Sequence, residues 1–306
     1  MKEETTTTTR TRVQEPQPAA DYAAALERLA ALKAMDGESV NPVCHTDLLT
    51  HGHTTDRVIA LIHGMTNCPR QYNKLAPLFF ERGYNVLLPR QPRNGLRDTN
   101  TRALGGLTLA EQQDFANQVV DIARGLGRHV TVAGISAGGT IAAWLAQYRD
   151  DIDLAAPIAP LFGILPALPV LNTTANFAAM RLLQWAPNLM TQSISSFKGG
   201  PPQGYLGFAT RGLASAMRLG HEVYRAAAAE QARARSILMM LNPVDPAVNN
   251  ALSRDLLARW QRRGSRASLY TFDATRKLIH DIIDPEQREQ QCDYVYPILL
   301  EQIAGA

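Results

Sequence analysis

Gly134-Ile135-Ser136-Ala137-Gly138 sets a serine between two glycines, directly after the β-branched run His129 to Ala133 and before the Ala-rich stretch Gly139 to Ala146. Strand, sharp turn, helix is the reading. A serine at such an apex takes a strained backbone conformation that lifts its hydroxyl clear of the sheet, and glycines on either side remove Cβ atoms that would collide there. The chemistry this suits is covalent: the hydroxyl attacks a carbonyl carbon. The five-residue pattern alone arises by accident in about one chain in ten of this length, so partners must carry the argument.

A serine hydroxyl is a weak nucleophile at neutral pH and needs a base within hydrogen-bond reach, itself oriented by a carboxylate. His280, in Leu278-Ile279-His280-Asp281, falls in the loop after the last strand-like run, Leu269 to Phe272. Asp245, in Asn242-Pro243-Val244-Asp245-Pro246, follows the penultimate run, Ile237 to Leu241, so its carboxylate emerges at the carboxyl edge of the sheet. The order Ser136, Asp245, His280 is that of a nucleophile-elbow hydrolase. Asp273, Asp281 and Asp284 are nearer to His280 in sequence, but a residue adjacent to a histidine seldom folds back onto its imidazole, so Asp245 is the expected acid. Charge developing on the carbonyl oxygen calls for two converging N–H groups, each worth roughly 3 kcal/mol of barrier. Ala137, at a helix N-terminus, offers one. The loop His63-Gly64-Met65-Thr66-Asn67 offers the other, with Gly64 letting the backbone turn inward, Met65 supplying the N–H and His63 shaping the loop. Each residue has a bland reading, since loop histidines are usually solvated and Asp before Pro is a common turn former. Together, at the right strand ends, they read as one constellation.

These residues must be held by a sheet. Val58 to Ile62, Asn85 to Leu88, Val130 to Ala133, Leu154 to Ile158, Ile237 to Leu241 and Ala267 to Phe272 are short apolar runs. Between them, Tyr72 to Arg82, Leu109 to Leu126, Gly139 to Tyr148 and Ala251 to Arg262 read as helices, and a closing helix is expected from Asp284-Pro285 to about Ile303. Continuous apolar strands separated by helices mean a parallel sheet covered on both faces. The expected division is a disordered Thr-rich tail over 1–18, a helix and a small hairpin over 19–56, a core of 57–160 and 233–306, and a cap over 161–232. The cap is rich in Leu, Met, Phe and Pro and has no core strand, as in an insertion closing over apolar acyl groups.

With 45% hydrophobic residues the chain can bury a large core. A net charge of +3, with arginines scattered rather than striped, argues against nucleic acid as a partner. His45, His51 and His53 have no Cys, Asp or Glu cluster beside them to complete a metal site. Cys44, Cys68 and Cys292 are odd in number and far apart, which reads as free thiols in a reducing compartment. With no apolar leader and no run long enough to span a membrane, the expectation is a cytoplasmic protein without stable membrane insertion. Arg90, Arg93, Arg97 and Arg102 are expected to be solvated loop arginines.

His63-Gly64-Met65-Thr66, Gly134-Ile135-Ser136-Ala137-Gly138-Gly139, Asp245-Pro246-Ala247-Val248 and the late His280 resemble the α/β-hydrolase superfamily, especially its carboxylesterases and bacterial monoacylglycerol lipases. The resemblance covers roughly Arg57 onward. It implies an α/β fold with a mostly parallel sheet of about eight strands, a lid over the site, no cofactor, and ester hydrolysis through an acyl-enzyme. The nucleophile, acid and base fall on Ser136, Asp245 and His280, and the oxyanion donors on Met65 and Ala137. One departure is Asn94 before Gly95, where relatives often carry His; it leaves the mechanism intact and the loop packing open. The expected substrate is a short- to medium-chain acyl ester, monoacylglycerols included. Thioester or lactone hydrolysis by the same triad is an alternative, and a non-catalytic small-ligand binding protein is one of another class.

Overall fold

A computed structural model of the 306-residue chain describes residues 15–164, 189–192 and 200–305. Most of the expected tail and the cap residues Pro166, Phe177 and Trp185 lie outside the described residues. The strands are β1 (Asp47–Leu49), β2 (Thr55–Ile62), β3 (Tyr84–Leu88), β4 (Gly127–Ile135), β5 (Leu154–Ile158), β6 (Met190–Gln192), β7 (Gly207–Ala209), β8 (Ile237–Leu241) and β9 (Ala267–Thr271). The helices are α1 (Tyr22–Ala34), α2 (Leu75–Phe80), α3 (Leu109–Leu126), α4 (Ala137–Tyr148), α5 (Thr210–Ala229), α6 (Asn250–Arg262) and α7 (Cys292–Ala304).

Among the described residues the main sheet has seven strands, in the order β1-β3-β2-β4-β5-β8-β9, against about eight expected. All neighbours run parallel except the β1–β3 pair. Along β2, Val58, Ala60 and Ile62 enter the core beneath α3 and α4, while Ile59 and Leu61 enter the core beneath α2 and α7. Period-two alternation inside a continuous apolar run is what burial of both sheet faces demands. Helix α3 is an amphipathic helix stopped cleanly at its start by a capping box between Thr108 and Glu111, which satisfies two otherwise orphaned N–H groups. Helix α5, in the segment expected as cap, packs on α3 and α4.

Residues Val43 to His53 do not form their own hairpin: β1 is an edge strand whose Asp47, Leu48 and Leu49 pair with Leu88, Leu87 and Val86. Helix Tyr72 to Arg82 is split into a 3-10 turn at Pro69–Tyr72 and the short α2. The closing helix starts at Cys292 rather than Asp284, because the carboxylates of Asp281 and Asp284 accept the N–H groups of Ile283, Asp284 and Glu286 and hold that stretch in turns.

Cys44 and Cys68 are not free thiols but a disulfide, with Cα atoms 5.2 Å apart. Gly95 makes the approach possible: at φ +70 it takes a left-handed turn, and a Cβ there would lie 2.7 Å from that of Cys44. Cys292 is free and buried. Arg102 is exposed as expected, but the other three loop arginines are not simply solvated. Arg90 is buried and ion-paired with Asp36 at 2.6 Å, Arg93 pairs with Glu111 at 2.9 Å, and Arg97 Nε donates to Glu38 O at 2.8 Å. Their partners lie on α3 and in the segment after α1, a packing invisible in local sequence.

Candidate active site

Ser136 sits between β4 and α4 at φ 57, ψ −118, a conformation that non-glycine residues adopt only at a cost of about 1–3 kcal/mol. The surroundings enforce it. Ser136 N–H donates to Ile158 O at 3.0 Å, and Ser136 O accepts from Thr140 N–H at 2.9 Å and Leu161 N–H at 3.1 Å. A Cβ at Gly138 would meet Ile62 O at 2.1 Å, and one at Gly134 would meet Gly138 O at 2.4 Å. The two flanking glycines are therefore required by the close approach of β2 and of α4's first turn.

Asp245 and His280 are brought together: His280 Nδ1 lies 2.8 Å from Asp245 Oδ2. The other carboxylate oxygen of Asp245 accepts from Ala247 N–H at 2.8 Å and Val248 N–H at 3.1 Å. Burial opposes ionisation of Asp245, yet the His280 charge and these donors outweigh it and hold the carboxyl below its ordinary range. Burial likewise disfavours the imidazolium of His280, but Asp245 wins and raises its pKa, with a smaller push from Asp281. Asn242 adds support that the sequence reading missed. Its Nδ2 donates to Leu278 O at 2.9 Å and Ile279 O at 3.1 Å, tying the end of β8 to the histidine loop. Asp273 is elsewhere, capping a turn through Thr275 N–H, and Asp281 does not fold onto the imidazole.

The turn after β2 leaves one N–H unpaired among the described residues. Gly64 N–H is taken by Gln71 Oε1 at 2.8 Å and Thr66 N–H by Asn94 Oδ1 at 3.0 Å. Met65 N–H, between them, has no hydrogen-bond partner among the described residues. Ala137 N–H is the first of its helix and so has no intrahelical carbonyl to bond. Asn94, the departure noted in the sequence, thus anchors this turn. His63 shapes the loop from within: Nδ1 donates to Gly64 O at 2.8 Å and Nε2 accepts from Gln91 N–H at 2.9 Å. Complete burial pushes its pKa down to about 3, so it stays neutral with both nitrogens engaged and is no general base.

Ser136 and His280 line one cavity of about 200 Å³. Met65, Leu161, Ile164, Phe208, Leu213 and Val248 give it an apolar wall, and Asn67, Gln71, Asp281 and Gln287 a polar end. None of Arg90, Arg93, Arg97 or Arg102 reaches it. Gln71 and Asn67 carried no signal in the sequence, because their partners lie more than two hundred residues away. Among the described residues no group of three or more His, Cys, Asp or Glu side chains could hold a metal ion, and His51 instead stacks on Phe80.

A strained serine on a strand-to-helix turn, with a carboxylate and an imidazole paired at the ends of later strands, defines a nucleophile-elbow arrangement on a parallel sheet. The profile of the α/β hydrolase family matches residues 59–291, and the chain belongs to that family. A thermostable monoacylglycerol lipase of a Bacillus species is 29% identical over 106 residues, which are 33% of this chain and 39% of the lipase. A pyrethroid hydrolase of Sphingobium wenxiniae is 34% identical over 98 residues, 30% of this chain and 31% of that enzyme. The matched stretch thus spans about a third of the length of these curated relatives. A solved structure from work on the metagenome-derived lipolytic enzymes LipS and LipT superposes with a TM-score of 0.63 at 17% identity, covering 87% of this chain and 100% of that one. At that identity the likeness concerns the fold. No helix among the described residues is long and apolar enough to cross a membrane.

Proposed function

We propose that this chain is a serine hydrolase of carboxylic esters, taking short- to medium-chain acyl esters, monoacylglycerols among them, through an acyl-enzyme. The observation that carries the reading is the Asp245–His280 pair, 2.8 Å apart, at the cavity that Ser136 also lines. Ser136 Oγ attacks the ester carbonyl as His280 Nε2 takes its proton, and the oxyanion is held by the N–H groups of Met65 and Ala137. Collapse breaks the bond to the alcohol, which leaves with the proton from His280. Water then repeats the sequence to release the acid and free Ser136. The apolar wall supports an alkyl acyl group, which such side chains can enclose without stranding a charge. The name of the Bacillus relative supports acylglycerols.

The expected cytoplasmic location rested in part on free thiols, and the Cys44–Cys68 bond removes that part of its support.

Hydrolysis of p-nitrophenyl esters from acetyl to palmitoyl tests the reading, together with fluorophosphonate labelling of wild type and Ser136→Ala. Turnover peaking at short to medium chains, with labelling lost in Ser136→Ala, is the expected result. Acyl-CoA or lactone hydrolysis without oxyester hydrolysis would move the assignment to those bonds. No turnover and no labelling would leave a ligand-binding protein.

A further inference from the structure

The turn after β2 and the loop carrying His280 are joined by side chains the proposed chemistry does not itself consume. Gly64 N–H donates to Gln71 Oε1 at 2.8 Å, and Gln71 Nε2 donates to Asp281 Oδ1 at 2.8 Å. Asn67 Nδ2 adds a parallel link, donating to Asp284 Oδ2 at 2.8 Å and to Asp281 Oδ2 at 3.3 Å. Gln287 Nε2 also donates to Asp281, at 2.9 Å. Gln71 is 2% exposed and Asp284 fully buried, so water competes little for the Gly64–Gln71 and Asn67–Asp284 bonds, while Asp281 is half-buried. Gly64 immediately precedes Met65, and Asp281 immediately follows His280. One hydrogen-bonded bridge therefore runs from the residue before Met65 to the residue after His280.

We propose that Gln71 and Asp281 are positioning residues for ester hydrolysis, holding the Met65 N–H and the His280 imidazole at a fixed separation through the bridge Gly64–Gln71–Asp281. This rests on the serine-hydrolase reading. Bond direction is specific: Gln71 accepts with its oxygen and donates with its nitrogen, so a carboxylate at 71 keeps the first bond and loses the second. Asp281 also acts on His280 through its charge, which helps to raise the pKa of the imidazole. The other groups facing Asp281 and Asp284 are Arg70 and Tyr72 from the turn before α2, Cys292 and Tyr296 from α7, and Glu286 from their own loop, with Lys74 acting on Cys292. Tyr72, Cys292 and Tyr296 are pushed up by burial, and Glu286 is pushed down by its bond to Arg70. His280 is thus held above its ordinary value, and Asp284 is pushed up to about 7.

The test uses the full chain and p-nitrophenyl butyrate, with folding checked by circular dichroism. Gln71→Glu is expected to lower kcat about 100-fold with KM held within about threefold, the scale set by misplacing a catalytic group by about 1 Å. Asp281→Asn alone is expected to move the acid limb of kcat/KM to lower pH, a change that loss of packing would not produce. Should Gln71→Glu not fold, Gln71→Met removes both bonds without adding charge and is expected to show the same kcat loss. Folded Gln71 variants with kcat near wild type, an acid limb unmoved in Asp281→Asn, or a rise in KM alone would each overturn the bridge while leaving the hydrolase reading intact. A wild type that neither turns over esters nor takes a fluorophosphonate overturns both.

Discussion

Asp245 is 4% exposed, and it remains a carboxylate because His280 and the N–H groups of Ala247 and Val248 compensate for burial. The same pairing lifts His280 above its ordinary pKa of 6.5. A general base must be neutral, so kcat/KM is expected to rise with pH along an acid limb centred above that value, checked with a substrate whose leaving group does not titrate there. Asp245→Asn removes both the charge and the acceptor that fix the imidazole tautomer. It is expected to lower kcat by about 10³- to 10⁴-fold and to move the acid limb downward. Ser136, Asp245 and His280 were legible because each follows a strand-like run at a recognisable spacing. Gln71 and Asn94 were not, since a polar side chain in a loop carries no local mark of the distant N–H or carboxylate it will meet.

At the scale of elements, the Cys44–Cys68 bond closes a loop of sequence separation 24 and ties the turn after α1 to the end of the turn after β2. Closing a loop of that length lowers the entropy of the unfolded chain by an amount equivalent to about 3 kcal/mol. Cys44→Ala/Cys68→Ala is expected to lose about that much in urea unfolding, and dithiothreitol to reproduce the loss in the wild type. An unchanged midpoint would reject the bond as a stabilising clamp. Helix α3 was readable to its boundaries because its amphipathic pattern and its Thr108–Glu111 cap agree. The start of α7 was not. Asp284-Pro285 is a good helix-opening signal in isolation, but there the carboxylate serves a turn and the bond to Asn67 instead. Strand β1 was missed for a related reason: three residues at an edge carry too little periodicity to reveal that their partner is β3.

Across the whole molecule, one buried carboxyl couples stability to pH. Burial and the nearby Asp281 charge push Asp284 up to about 7 from its ordinary 3.8. The folded state therefore holds this proton more tightly than the unfolded chain, and stability is lost as pH rises from about 4 through about 7. Asp284→Asn keeps an acceptor for Glu286 N–H and does not titrate. Because its amide nitrogen faces Asn67 Nδ2 it carries a cost independent of pH, so the expected result is a relative gain over wild type of about 1 kcal/mol or more, a few degrees in Tm, between about pH 4 and about pH 8. Thermal melts across that range check the sign, and a gain independent of pH would show that Asp284 is ionised throughout.

What the chain's order of residues determined unaided was the parallel α/β core, the elbow at Ser136 and the candidates Asp245 and His280. These are written in short windows, as apolar runs buried on both faces and as turn residues at strand ends. Only the tertiary structure decided the antiparallel edge strand β1, the Cys44–Cys68 bond, the burial of Arg90 against Asp36 and the bridge from Gly64 through Gln71 to Asp281. Each of these joins segments separated by other elements. Which loops become neighbours follows from the strand order β1-β3-β2-β4-β5-β8-β9, and no local propensity encodes that order.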